Sequence, residues 1–460
     1  MPQQMALPKR RPGALALVAL VAGLGLAGRL GLGFAGTLTR TRSTAESHLG
    51  SRTFRTSRHV GDGFDGLAGT AAGVMESMAS MASVDQMDQS SLLASFADQA
   101  GNINGVLFQG SLPAYLLFLY FLGYRGNNTP PLTFFGFAFL LVFVFLTIPA
   151  GIISKSSYGL ILADSDWIHG SAESLLTCTN IMIVLGFRSA LTGNAELADN
   201  ETVRNIAFGW MAAVILTLAA GIPIFGFEAH TAFLSGIGAL DFDQAEPVNA
   251  LSIPNWMVHW STVFEFLLAM SLAWRYADAM GNPKWKGLTW GMLPSSISSV
   301  CALTFHIFYN QIPWILTGQA LFTFIGNATL ALAAYRIAVS NGWTIGELNP
   351  LRMFDKKEGE EEPSFDIAKV SPEGAKELMS GPLLVAEVIL LTVAFAYGTK
   401  YGELAVGSSI FQSPESSAAA AAVIAIPVLL VAYVIYSQSS DLQSGQLPPL
   451  ALAPSAAKDK

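Results

Sequence analysis

The sequence predicts an all-α, polytopic transmembrane helical bundle of about nine spans (eight or nine), with short loops. Two observations support this fold class. Of 460 residues, 52% are hydrophobic and only 13% are charged, whereas a soluble protein has about 25% charged residues. The apolar residues also occur in blocks of about 20, the length of helix that crosses about 30 Å of hydrocarbon. The period-two alternation of a transmembrane β-barrel is not evident.

Nine blocks are predicted to span the membrane, and the first, which is short and contains Pro113, has a re-entrant segment as its alternative. The blocks lie near residues 106–122, 133–153, 172–191, 205–227, 258–275, 288–309, 313–336, 382–398 and 418–436.

The N-terminal region shows two targeting patterns in series. Residues 1–33 combine a basic start, a short apolar stretch and small residues, which is typical of a signal peptide. Residues 34–61 are rich in Arg, Ser and Thr and contain one acidic residue, which is typical of a plastid transit peptide. The pair resembles the two-part leaders of algae with secondary plastids. A signal peptide followed by a basic linker is the alternative.

Charge alternates between successive loops. The loops after the first, third, fifth and seventh spans hold most of the Lys and Arg residues, whereas the opposite loops are largely acidic. By the positive-inside rule the basic loops face the stroma. The acidic segment 62–105, which precedes the first span, is then lumenal, as is the N-terminus of the mature chain, and the C-terminus is stromal.

The predicted spans fall into three groups. A first module of four spans covers 106–227 and a second module of three spans covers 250–340. A charged, mobile linker (341–380) then leads to a two-span hairpin (381–437), and residues 438–460 form a disordered tail.

Polar residues within or beside the spans are the candidate ligand or partner contacts. They are His169, Glu173, His259, Glu265, Arg275, His306, Asn310, Gln319 and Asn327. His169 and Glu173 are four residues apart and share one helix face, so they are expected to lie within hydrogen-bonding distance. An interfacial ion pair or helix cap is one interpretation of this pair. A ligand pair for a metal or a pigment is the other.

Glu265 stands near the middle of the fifth span, where a charged carboxylate costs about 2.5–3.5 kcal/mol. It is six residues from His259, so the two side chains point to different faces. Glu265 therefore needs a partner on another helix or a proton, and the expected donors are His306, Asn310, Gln319 and Asn327. A hydrogen bond that fixes helix register predicts that Glu265→Gln is tolerated and Glu265→Leu loosens the bundle. Proton relay, cofactor ligand and substrate contact are the alternatives.

The sequence leaves the cofactor unknown. His306 is a residue type that ligates chlorophyll magnesium or haem iron, but it has neither a second matched His nor a haem-attachment motif, so bound chlorophyll or carotenoid stays an open alternative. "WIHGSAESLL" (167–176) and "WMVHWSTVFEFLL" (256–268) echo each other, although their His–Glu spacings differ. No phosphate loop, dinucleotide fingerprint, CxxC or HExxH motif is present. No catalytic residue or metal site is therefore predicted, and nucleic-acid binding has no support.

Two segments carry family resemblances. The segment from "NWMVHWSTVFEFLL" to "LALAAYRI", about 254–338, resembles the hypothetical chloroplast reading frame 49-like family (domain of unknown function 2499). The segment from "SLPAYLLFLYFLGYRG" to "IMIVLGFR", about 111–192, resembles a second plastid and cyanobacterial membrane family (domain of unknown function 3593). The resemblance implies a photosynthetic organism and a thylakoid or inner-envelope membrane. It brings no catalytic residues.

The preferred hypothesis is a non-catalytic integral thylakoid protein that contacts membrane lipid and other thylakoid subunits, and associates with or helps assemble a photosystem or antenna complex. A small-solute or ion transporter of a plastid membrane is the alternative. A third hypothesis, a membrane enzyme with His and Glu residues on a metal, requires at least three ligands that converge at one depth.

Overall fold

The computed structural model describes most of the chain beyond the leader, and the signal-peptide, transit-peptide and most of the acidic-segment predictions lie outside the described residues. So do most of the charged linker and the end of the tail. The described residues are 103–230, 236–241, 245–348, 365–371 and 378–444.

The described residues are helical, with no strand among them, and nine helices are long and apolar enough to cross a membrane. The all-α fold class is therefore confirmed. The nine helices are α1 (Ile103–Leu122), α2 (Pro131–Tyr158), α3 (Asp166–Leu191), α4 (Glu201–Ala220), α5 (Ile253–Ala279), α6 (Lys286–Ile307), α7 (Pro313–Ser340), α8 (Gly381–Val406) and α9 (Ser417–Ser444).

Two of the predicted spans differ from the helices in an informative way. The first is a continuous helix of 20 residues despite its internal Pro113, which gives about 30 Å of length. The fourth ends at Ala220, seven residues before the predicted boundary at 227. The sequence continues Gly-Ile-Pro-Ile-Phe-Gly, and Gly226 has a φ of +63°, so turns replace the helix there.

The predicted four-span module (106–227) and the predicted three-span module (250–340) pack against each other. α1 contacts α7 more extensively than it contacts α2, and α3 lies against α5. Phe187 of α3, Tyr276 of α5 and Trp285 before α6 form an aromatic group at this interface, with ring centroids 5.0–6.2 Å apart. Side chains of both modules therefore share one buried core.

Close helix approach depends on glycine, as at Gly186 and Gly326. A Cβ at Gly186 of α3 would overlap the backbone of Thr133 in α2, and a Cβ at Gly326 of α7 would overlap Ser295 in α6. Ser295 and Ser299 are four residues apart and give α6 a face of small residues, which permits this contact.

The bundle has two distinguishable ends. At one end the Asn128 side chain bonds the backbone of Asp366 with distances of 2.8 and 3.0 Å, and the Ser371 N–H donates to the Ala279 carbonyl at 2.9 Å. The predicted linker is therefore anchored to the bundle at residues 365–371. At the other end lie the start of α3, the start of α5 and the end of α6, and this is called the histidine end below.

Candidate metal centre

Three histidines from three helices converge inside the histidine end. The Nε2 atom of His169 lies 3.2 Å from the Nε2 atom of His259 and 3.1 Å from the Nε2 atom of His306. Each side chain is at most 7% exposed. One ligand atom from each ring lies within 4.8 Å of the other two. They form the one group of three or more His, Cys, Asp or Glu with metal-ligand spacing in the described part of the chain.

Helix direction brings these residues to one depth. His169 is in the first turn of α3 and His259 is in the second turn of α5. These two helices run parallel, because the hydroxyl oxygens of Thr177 and Ser261, farther along each helix, lie 3.1 Å apart. α6 runs antiparallel to α5, so His306 in its last turn returns to the same end. Three residues far apart in sequence thereby become neighbours.

Asn255 fixes the tautomer of His259. The Nδ1 atom of His259 is 2.9 Å from the Asn255 carbonyl oxygen, so Nδ1 carries the proton and donates it. Nε2 then presents a lone pair to the cluster. Histidines that bind metals commonly donate their other ring nitrogen to a carbonyl in this way.

Three neutral imidazoles do not satisfy this arrangement by hydrogen bonds alone. Because Nε2 of His259 is an acceptor, His169 must donate from Nε2 to bond it. The single proton on that nitrogen is then shared with Nε2 of His306, and Nδ1 of His169 becomes an acceptor that is buried and has no partner among the described residues. A cation between the three Nε2 atoms would use all three lone pairs.

Asn310 supports His306 from the loop that follows α6. The Asn310 side chain lies beside the His306 ring, and its Nδ2 donates to Asp164 Oδ1 at 2.7 Å. The Oδ1 atom of Asn310 and the Nδ1 atom of His306 are both buried, and neither has a partner with hydrogen-bond geometry. A small rotation of either group would form the Nδ1–H to Oδ1 bond that leaves Nε2 free for a metal.

Asp166 ties the start of α3 to the start of α5. Its Oδ1 accepts from the backbone N–H of Ser252 at 2.9 Å and from Asn255 Nδ2 at 3.1 Å. Asp166 is 2% exposed. Its carboxylate would lie in the layer just behind His259 and would partly compensate a divalent cation held by neutral ligands.

The distances suit a first-row transition metal. Tetrahedral zinc with Zn–N bonds of about 2.0–2.1 Å places its nitrogen ligands about 3.3–3.4 Å apart, close to the two measured separations. Imidazole ligands suit zinc, copper, iron and nickel. Three protein ligands leave one coordination position for water or another small ligand.

The remaining predicted site residues lie outside this cluster. No hydrogen bond joins His169 to Glu173 among the described contacts; His169 bonds the two other histidines instead. Asn327 donates to the Ser111 carbonyl at 3.2 Å, whereas Gln319 and Arg275 are half-buried.

Glu265 is 7% exposed, and its Oε2 has no hydrogen-bond partner among the described residues. Of its expected donors, His306, Asn310 and Asn327 bond other groups. No bond from Gln319 to Glu265 is present among the described contacts.

The sequence contained a partial signal for the cluster. The two similar segments, 167–176 and 256–268, lie in the first halves of the parallel helices α3 and α5. Their histidines, His169 and His259, are in contact. His306 stands near the end of the predicted sixth span, 288–309. What the sequence did not supply was the rotation of each helix about its axis, which brings the three rings together.

The fold and the site define a polytopic helical membrane protein with a buried three-histidine cluster. Residues 250–336 match the family model described as "Protein of unknown function (DUF2499)", and residues 104–192 match the one described as "Protein of unknown function (DUF3593)". A Ycf49-like protein of the cyanobacterium Synechocystis sp. is 52% identical over 92 residues, which are 88% of that relative and 20% of this chain. No solved structure matches the chain.

The chain belongs to the Ycf49-like family and joins a second family segment to it. It is thus a multi-pass membrane protein of cyanobacterial or plastid type, and the suspected fusion is confirmed. The cluster draws on both segments, because His169 lies in the first matched region and His259 and His306 lie in the second.

Proposed function

We propose that this protein is a metal-binding protein of photosynthetic membranes, in which one transition-metal ion, with zinc as the first candidate, joins the two family segments through His169, His259 and His306. The convergence of three buried Nε2 atoms carries this proposal. Close approach of three imidazoles with opposed lone pairs costs free energy unless a proton or a cation lies between them.

The proposed metal has a structural role and an open coordination position. It would connect α3 to α5 and α6, which stabilises the packing between the two segments. A bound water or small ligand at the fourth position would be polarised by the cation. The proposal includes no catalytic base, so the protein is proposed to be non-catalytic.

The test is the metal content of the full-length chain purified in a mild detergent. We expect about one zinc or other transition-metal ion per chain, and its loss in His169→Gln, His259→Gln and His306→Gln variants. His230→Gln is the matched control. His230 lies near Asp164 and Asp166 at the same end, where burial lowers the pKa of its imidazole, but it is outside the cluster.

Cobalt reconstitution gives a second measurement. A tetrahedral three-nitrogen site would give the chain the visible absorption of four-coordinate Co²⁺, and the three cluster variants would not show it. A chain that takes up no metal after reconstitution, or whose cluster variants bind as much as the control, would overturn the proposal.

We also propose that the assembled bundle associates with, or helps assemble, a photosynthetic complex. Support comes from the leader-like N-terminus and from the cyanobacterial relative. Native gels of gently solubilised thylakoids test this proposal. Co-migration of the chain with a chlorophyll-containing band is expected, whereas migration alone and without colour contradicts it.

A further inference from the structure

A line of polar side chains runs between α3 and α5, from the histidine end toward the middle of the bundle. On α3, Glu173 and Thr177 follow His169 at successive steps of four residues, so the three share one helix face. The Thr177 hydroxyl meets α5, where it lies 3.1 Å from the Ser261 hydroxyl and 3.4 Å from the Thr262 hydroxyl. The polar seam is the name used below for Glu173, Thr177, Ser261, Thr262 and Glu265.

Glu265 is the inner end of the polar seam. It follows Ser261 by four residues, one turn farther along α5, and it lies close enough to Cys178 of α3 to interact electrostatically with the thiol. The Glu265 side chain is buried, and its Oε2 has no hydrogen-bond partner among the described residues. Farther along α5, Ala269 and Leu272 are buried in the shared apolar core. The polar seam therefore ends at Glu265, and apolar packing separates it from the opposite end of the bundle.

The helices around α5 offer Glu265 no cation. α5 packs most extensively against α3, α6 and α8. The sequence has no Lys, Arg, His, Asp or Glu at residues 174–187 of α3, 287–305 of α6 and 388–399 of α8. The titratable side chains in those stretches are Cys178, Cys301 and Tyr397. Because a carboxylate without a counter-ion is costly inside the bilayer, a proton is the partner that these surroundings leave for Glu265.

We propose that Glu265 is a proton-binding site inside the membrane, and that protons reach it from the histidine end along the polar seam. Each hydroxyl of the seam both donates and accepts hydrogen bonds, as does a protonated carboxyl group. Side chains one helical turn apart are separated by about 5–6 Å, a gap that one bridging water spans. The proton thus exchanges between solvent at the histidine end and Glu265, whereas the apolar core beyond Glu265 blocks its onward passage.

The polar seam does not depend on the candidate metal centre. None of its five side chains belongs to the three-histidine cluster, so substitutions in the seam leave the three metal ligands unchanged. Proton binding at Glu265 therefore goes beyond the proposed metal-binding function and is measured separately from it.

The test is infrared spectroscopy of the full-length chain in nanodiscs at neutral pH. A protonated carboxyl group has a C=O stretching band that shifts when deuterium replaces its proton. We expect a band that the unaltered chain shows and Glu265→Gln lacks, and the rate of its shift in D₂O measures proton access to Glu265. Thr177→Val removes a hydroxyl of the seam but keeps the shape of the side chain, and it is expected to slow this shift about tenfold at an unchanged unfolding temperature.

Thr323→Val is the matched control, because the Thr323 hydroxyl also belongs to an intramembrane hydroxyl pair, 2.7 Å from Ser298, but between α6 and α7. Thr262→Val is the second seam variant, in case Thr177→Val misfolds. Absence of a Glu265-dependent band at neutral pH, or an unchanged exchange rate in both seam variants, would overturn the proposal. Loss of the band when sodium is added at constant pH would also overturn it, because Glu265 would then bind a metal cation in place of a proton. Metal content measured on the same samples separates these outcomes from failure of the metal centre.

Discussion

At the scale of single residues, the candidate site depends on side chains that are not themselves ligands. Asn255 and Asn310 each sit four residues from a cluster histidine, one before His259 and one after His306. The Asn255 backbone carbonyl accepts from its histidine, whereas the Asn310 side chain lies beside its histidine and would accept from it after a small rotation. Such supporting groups set ring orientation and tautomer, and their loss commonly lowers metal affinity 10- to 100-fold.

Asn310→Gly tests this support without disturbing the backbone. Asn310 has a φ of +60°, a left-handed conformation that glycine adopts easily. We expect zinc affinity to fall about 10- to 100-fold, measured by competition with a chelator. Asn128→Gly is the control, because Asn128 also has a positive φ of +56° but lies at the opposite end. An equal loss of affinity in both variants would contradict the role given to Asn310.

Glu265 is the residue for which the structure changes the expectation. The sequence suggested a register-fixing hydrogen bond, but Oε2 is buried without a donor among the described residues. We therefore expect Glu265→Leu to leave the free energy of unfolding unchanged or to raise it by about 1–3 kcal/mol. Thermal unfolding in detergent measures this effect. A clear loss of stability in Glu265→Leu that Glu265→Gln does not share would restore the hydrogen-bond interpretation.

The transport alternative would give the Glu265 carboxyl group a role other than helix packing. If Glu265→Gln and Glu265→Leu both fold normally but abolish a measured solute flux in liposomes, the carboxyl group itself is needed. If neither variant changes the flux, Glu265 has no transport role.

At the scale of helices, sequence hydropathy located all nine elements but misplaced the ends that matter most. The start of α3 was predicted at 172, whereas the helix begins at Asp166. Polar and small residues at 166 and 169–171 lower the mean hydropathy there, although Trp167 and Ile168 are apolar. The first turn of α3 is where the metal ligand lies. Polar residues at this candidate site lower the local hydropathy, so the sequence did not predict the helix start that positions them.

Close approach between helices predicts where small residues are required. Gly326→Val would force α7 away from Ser295 of α6, and we expect a loss of about 1–3 kcal/mol in the free energy of unfolding. Gly398→Val in α8 is the control, since a Cβ there meets no atom within 4 Å. A control variant as unstable as Gly326→Val would mean that helix propensity, and not packing, accounts for the loss.

At the scale of the whole molecule, the sequence predicted the two family-like segments but not how they meet. α1 belongs to the first segment and packs mainly on α7 of the second, and the cluster likewise takes one histidine from the first and two from the second. The Synechocystis relative matches 92 residues, which are 88% of its own length but 20% of this chain.

A metal that bridges two segments contributes to the stability of the whole bundle. Zinc that binds only the folded chain stabilises it by about 2.7 kcal/mol at a free concentration 100 times the dissociation constant. We therefore expect the unfolding temperature of the metal-depleted chain to rise with added zinc, and to fall again with a chelator. In His169→Gln, which removes the first segment's ligand, zinc is expected to have little effect, whereas His230→Gln should respond like the unaltered chain. An equal zinc response in His169→Gln and the unaltered chain would show that the ion binds elsewhere and that packing alone joins the two segments.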